Sequence, residues 1–183
     1  MNLTLLYRER ALVNHQFPTV RALDEPPRAY VGLLRCEGGE VKRLGDEGVW
    51  PFTEYAAWNR FHVEMPTDYP LRPPSVTWLS DVSHPNIVPN VPGAVCVSIL
   101  GGAWRPSLSL VSVINSLYYV LADPNPNSAF DHPRCLRAAE VCRKHGFPKM
   151  VEPDMVSFKV VRKGRQPRGD LVRFRLKAGR RVG

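Results

Sequence analysis

With 183 residues and 44% apolar side chains, the chain can build one domain with a modest extension around a real core, which excludes two large domains. No apolar run approaches the roughly 18 residues of a membrane span, no secretory pattern opens the chain, and four cysteines (Cys36, Cys96, Cys135, Cys142) lack paired spacing. The expectation is a soluble, cytoplasmic protein with reduced thiols. The net charge of +8 is uneven: residues 143–183 hold 13 Lys/Arg against 3 Asp/Glu, and the remainder holds 12 against 14.

In chain order, "LTLLYRERALVN" (3–14) places Leu3, Leu6, Tyr7 and Leu12 near helical spacing with Arg8, Glu9 and Arg10 between them, which predicts a short amphipathic helix. "RAYVGLLRC" (28–36) reads as a strand, and the Gly-rich, charged stretch 37–54 reads as holding a hairpin turn at "EGGE". Phe61, Val63 and Met65 alternate with His62 and Glu64 as a strand that Pro66 stops. Three prolines in "DYPLRPPSVTWL" (68–79) precede an edge strand carrying Val76 and Trp78.

Next comes "HPNIVPNVPGAVC", whose prolines predict an extended or turning surface segment that presents Cys96 to solvent. Ser109 caps a helix with Leu110, Val113, Ile114, Leu117 and Leu121 on one face, and "DPNPN" (123–127) ends it. Pro133 starts a final helix over 133–145, with Gly146 as its terminator. In the basic tail, Val156, Phe158 and Val160, then Val172, Phe174 and Leu176, alternate around "KGRQPRG" as a β-hairpin that must dock on something to be stable.

Three chemistries compete for the cysteines. His132, Cys135, Cys142 and His145 have the form H-x2-C-x6-C-x2-H, but on one helix Cys135 and Cys142 lie roughly 10 Å apart along the axis, too far to share a zinc ion at about 2.0–2.3 Å. No metal is expected. A cysteine hydrolase with Cys96 as nucleophile and His84 as base needs the imidazole at the sulfur, and the confined backbone before Pro85 suits His84 equally to fixing the loop.

From Phe61 to Asp131 the chain resembles the ubiquitin-conjugating enzymes. The likeness rests on "FHVEMPTDYPLRPPSV", the "HPN" triplet, "GAVC", "W-R-P" at 104–106 and "DPNPN", in one order. It implies an α+β fold: an N-terminal helix, a small antiparallel sheet meander, an irregular catalytic segment, a central helix and a shortened C-terminal helix. The catalytic domain would occupy residues 1–149, and residues 150–183 a basic C-terminal extension. The Arg-rich, shortened frame fits a bacterial or archaeal ubiquitin-like operon.

The activity implied is transfer of a ubiquitin-like protein, within an ATP-dependent pathway and without a cofactor, from an activating enzyme to a thioester on Cys96 and then to a lysine of a target. Asn86 would donate to the oxyanion or hold the neighbouring loop, with His84 beside it. Ser128, 32 residues after the cysteine, occupies the family's gate position near Asp123 and Asn127. Pro70, Leu71, Arg72, Trp104 and Pro106 would bind the activating enzyme and a RING-type ligase.

Two departures stand out: Asn86 lies ten residues before Cys96, about two more than is usual, and Ser98 replaces a frequent Asp. The alternative reading is a binding module with a vestigial cysteine. For the tail, an acidic protein partner is expected over nucleic acid, because Phe147, Phe158 and Phe174 are its only aromatic residues for base stacking.

Overall fold

The computed structural model describes residues 2–35 and 58–145. Cys36, the turn at "EGGE", the terminator Gly146 and the tail hairpin lie outside the described residues, as does the boundary between the two expected domains.

Helix α1 (Leu3–Gln16) begins where Asn2 accepts the Leu5 amide at 3.3 Å. Leu6, Glu9 and Val13 form its buried stripe. The sheet follows as an antiparallel meander in the order β1 (Val20–Ala22), β2 (Ala29–Arg35), β3 (Trp58–Glu64) and β4 (Ser75–Trp78). Strand β1 was not anticipated: three residues are too few to leave an alternating pattern.

Two rows of paired residues run across the inner face, Val20-Gly32-Phe61-Trp78 and Ala22-Tyr30-Val63-Val76. Phe61 and Trp78 stack with centroids 6.4 Å apart. Gly32 makes room for the Phe61 ring and Val20, since a Cβ there would lie 2.7 Å from Phe61 Cε1 and 2.8 Å from Val20 Cγ2.

Helix α2 (Leu110–Ala122) starts at Ser109, whose hydroxyl accepts the Ser112 amide at 3.3 Å. All five residues of the expected stripe are buried, joining α1 and the inner sheet face in one core. Each such burial contributes about 1.5–3 kcal/mol, which outweighs the weak intrinsic stability of a 13-residue helix. Helix α3 (Pro133–His145) has the expected bounds and buries Cys135, Ala138, Ala139 and Cys142. Cys135 joins Val88, Ala94 and Phe130 in a smaller apolar cluster that anchors the segment before Cys96. Among the described residues no helix is long and apolar enough to cross a membrane.

Candidate active site

The segment from His84 to Cys96 is a short antiparallel ladder. Ile87 bridges Val95, the Val88 amide donates to the Ala94 carbonyl at 2.9 Å, and the Cys96 amide donates to the Asn86 carbonyl at 2.8 Å. Residues 89–93 form its tip, where Asn90 and Gly93 take positive φ values of 61° and 73°. That tip folds onto the outer edge of β4, with Asn90 N–H donating to Trp78 O at 2.7 Å and Gly93 N–H to Val76 O at 2.8 Å. The tip covers an otherwise open strand edge while the Cys96 amide stays paired with the Asn86 carbonyl.

Cys96 is exposed. Asn86, by contrast, is buried, and its side chain is fully engaged. Its Nδ2 donates to the carbonyls of Asn125 at 3.0 Å and Ser128 at 2.9 Å, and its Oδ1 accepts the Asn125 amide at 2.7 Å. Both amide hydrogens are thus spent on the 3-10 turn Pro126–Ser128 and the residue before it. Of the two roles considered for Asn86, this geometry matches loop holding. Arg143 of α3 donates to the Pro126 carbonyl at 2.9 Å, and the Phe130 amide donates to Pro85 O at 2.9 Å, so the turn is held from both sides.

His84, expected beside Asn86, lies in the interior. Its ring is fully buried and its Nδ1 accepts the Asn86 amide at 3.0 Å. Burial pushes its pKa down to about 3, with the Val120 backbone pulling the other way. A neutral, buried ring that accepts the Asn86 amide matches the loop-fixing role expected of His84.

Ser128 sits exposed on the turn that Asn86 grips, and Asp123 is the exposed C-cap of α2. The elements thus put Cys96, Asn86 and Ser128 within one hydrogen-bonded unit, while Asp123 joins it only through the short connection to Asn125.

The residues expected to bind partners divide into a support and a surface. Trp104 is 8% exposed, with its indole N–H donating to the Pro70 carbonyl at 2.8 Å and its ring 6.0 Å from that of Tyr69. Leu71 is 71% exposed, Pro106 is exposed, and exposed Arg72 pairs with Asp68 at 2.6 Å. Trp104 and Pro70 therefore hold the surface that Leu71, Arg72 and Pro106 present.

The family model described as "Ubiquitin-conjugating enzyme" matches residues 51–152. The chain belongs to the ubiquitin-conjugating enzyme family. Among solved structures, a ubiquitin conjugating enzyme domain of Toxoplasma gondii shares the fold, with a TM-score of 0.57 and 24% identity over 79% of this chain and 88% of that one. The α+β architecture expected from the motifs is thus that of ubiquitin-conjugating enzymes, and the matched stretch contains the triplet, the cysteine and the following turn.

One residue of this ubiquitin-conjugating enzyme fold escaped notice in the sequence. Glu9 was read as part of a charged cluster between apolar positions, yet it is 4% exposed. Its place between Leu6 and Val13 on the i, i+3, i+7 stripe was the available signal.

Proposed function

We propose that the protein carries a ubiquitin-like modifier as a thioester on Cys96 and passes it to a lysine of a target protein. The observation that carries the reading is the pairing, in a member of this family, of an exposed thiol with a buried asparagine that fixes the neighbouring turn.

In loading, the Cys96 thiolate attacks the carbonyl carbon of the thioester on an activating enzyme. A new C–S bond forms, the old one breaks, and the departing thiolate stays with the activating enzyme. Thiol exchange needs presentation more than activation, because an ordinary thiol with pKa about 8.5 is already partly ionised near neutral pH. In transfer, a lysine nitrogen attacks the same carbonyl, the C–N bond forms, the C–S bond to Cys96 breaks and the nitrogen gives up its proton.

The amine step is the harder one, since a lysine of pKa about 10.4 is neutral in only about 1 in 2,500 molecules at pH 7. A surface that partly desolvates the ammonium raises that fraction. The turn carrying Ser128, with Asp123 close by in sequence, supplies that surface, and Asn86 holds it while receiving the Cys96 amide on its own carbonyl. Leu71, Arg72 and Pro106 take the activating enzyme and a ligase of the RING type.

The test incubates the protein with an activating enzyme, its cognate modifier and ATP, and runs the products on a non-reducing gel. The expected result is a thiol-labile adduct that Cys96→Ala abolishes. Absence of any adduct with several ubiquitin-like modifiers, each paired with its own activating enzyme, would overturn the reading.

A further inference from the structure

Two segments far apart in the chain converge on the Glu9 carboxylate of α1. Its Oε1 accepts the Tyr69 hydroxyl at 3.0 Å, and its Oε2 accepts the backbone amide of Leu110, the first residue of α2, at 2.9 Å. Both partners are uncharged donors, one of them at the positive end of a helix dipole. Burial, then the charge of Glu9 and its hydrogen bond, keep Tyr69 protonated well above the ordinary tyrosine range, so the hydroxyl stays a donor at all working pH values.

These contacts pin both loops that carry the proposed docking residues. Tyr69 packs on Trp104, whose indole N–H holds the Pro70 carbonyl, and Leu71 follows directly. Pro106 lies between Trp104, held at Pro70, and Leu110, held at Glu9. A buried charge is a poor way to gain stability, since apolar side chains of similar volume do at least as well. What the carboxylate supplies that they cannot is two directed acceptors at a fixed separation.

We infer that Glu9, acting through Tyr69 and the start of α2, is a positioning residue that sets the spacing of the Leu71 and Pro106 loops for docking the activating enzyme. This rests on the conjugation reading above and assigns a division of labour within it. Tyr69→Phe removes the hydroxyl bond and little else. Glu9→Gln keeps shape and one acceptor, and Glu9→Ala removes the latch.

Two measurements on the full chain test this. The first follows thioester loading as a function of this protein's concentration at fixed activating enzyme, alongside discharge of preformed thioester to free lysine without activating enzyme or ligase. Tyr69→Phe is expected to raise KM about fivefold or more with kcat and discharge within about twofold. Glu9→Ala should do so more strongly and Glu9→Gln less. An unchanged KM in Tyr69→Phe, or an equal fall in loading and discharge, overturns the assignment.

The second measures amide exchange by mass spectrometry or NMR. Exchange at Leu71 and Trp104 should rise roughly tenfold in Tyr69→Phe with the β3 amides unchanged, and no local change overturns the inference even where loading cannot be observed. A wild-type protein that never loads, with exchange responding as expected, would instead count against the conjugation reading alone. If Glu9→Ala does not fold, Tyr69→Phe and Glu9→Gln carry both measurements.

Discussion

Asn86 receives the Cys96 amide on its backbone carbonyl at 2.8 Å, and its side-chain amide donates to the Ser128 carbonyl at 2.9 Å. One buried residue therefore ties the segment carrying the thiol to the turn Pro126–Ser128. The tip at residues 89–93 lies beyond that tie, because the two arms of the segment pair below it.

Asn86→Ala should loosen the turn without disturbing the sulfur. Discharge to free lysine is expected to slow roughly tenfold, about 1.4 kcal/mol in barrier, while loading stays within about twofold. Three broken side-chain hydrogen bonds will also lower stability by about 1–3 kcal/mol, so both rates must be taken well below the unfolding midpoint. Equal loss of loading and discharge would remove the role given to Asn86.

The three described cysteines should differ sharply toward an alkylating reagent. Cys96 is exposed, whereas Cys135 and Cys142 are buried, burial pushing the Cys142 thiol up to about 11 and the Cys135 thiol upward as well. Peptide mapping after brief iodoacetamide treatment at pH 7.5 should find Cys96 modified at least about tenfold faster than either. Comparable labelling of Cys142 in the folded protein would show that α3 does not pack as described.

His84 makes stability depend on pH in a defined window. The unfolded chain binds a proton on this ring below about 6.5, while the folded ring stays neutral until about 3, so the unfolded state holds more protons in between. Stability should therefore fall as pH drops from 6.5 towards 3, with a limiting slope of about 1.4 kcal/mol per pH unit from this group. His84→Asn retains an acceptor for the Asn86 amide but does not titrate. Urea unfolding at pH 7 and pH 5 should show a smaller difference for the variant than for the wild type; equal differences would contradict the neutral, buried assignment.

Gly32→Ala is expected to destabilise by about 1–3 kcal/mol, because the added Cβ meets Phe61 and Val20 on paired strands where neither can retreat. The shift in thermal midpoint, compared with an Ala substitution at exposed Ser75, gives the measurement. A neutral result would mean that the Phe61 ring has another place to go.

Local patterns were sufficient wherever the governing interaction is itself local. Ser109 caps α2 through a residue three positions away, Pro133 opens α3, and the stripe from Leu110 to Leu121 follows helical spacing, so these elements were legible. The order of the triplet, cysteine and closing turn likewise pointed to the α+β fold and to the family that residues 51–152 match.

What only the tertiary structure decided involves partners too distant to leave a pattern. Asn86 finds Asn125 and Ser128 across 39 and 42 positions, and Glu9 finds Tyr69 and Leu110 across 60 and 101. Such bonds depend on how helices and sheet pack, so no window of sequence contains both ends. The sequence by itself pointed to an exposed cysteine and to an asparagine beside it; packing made the asparagine a clamp and turned Glu9, one charge in a charged cluster, into a buried latch.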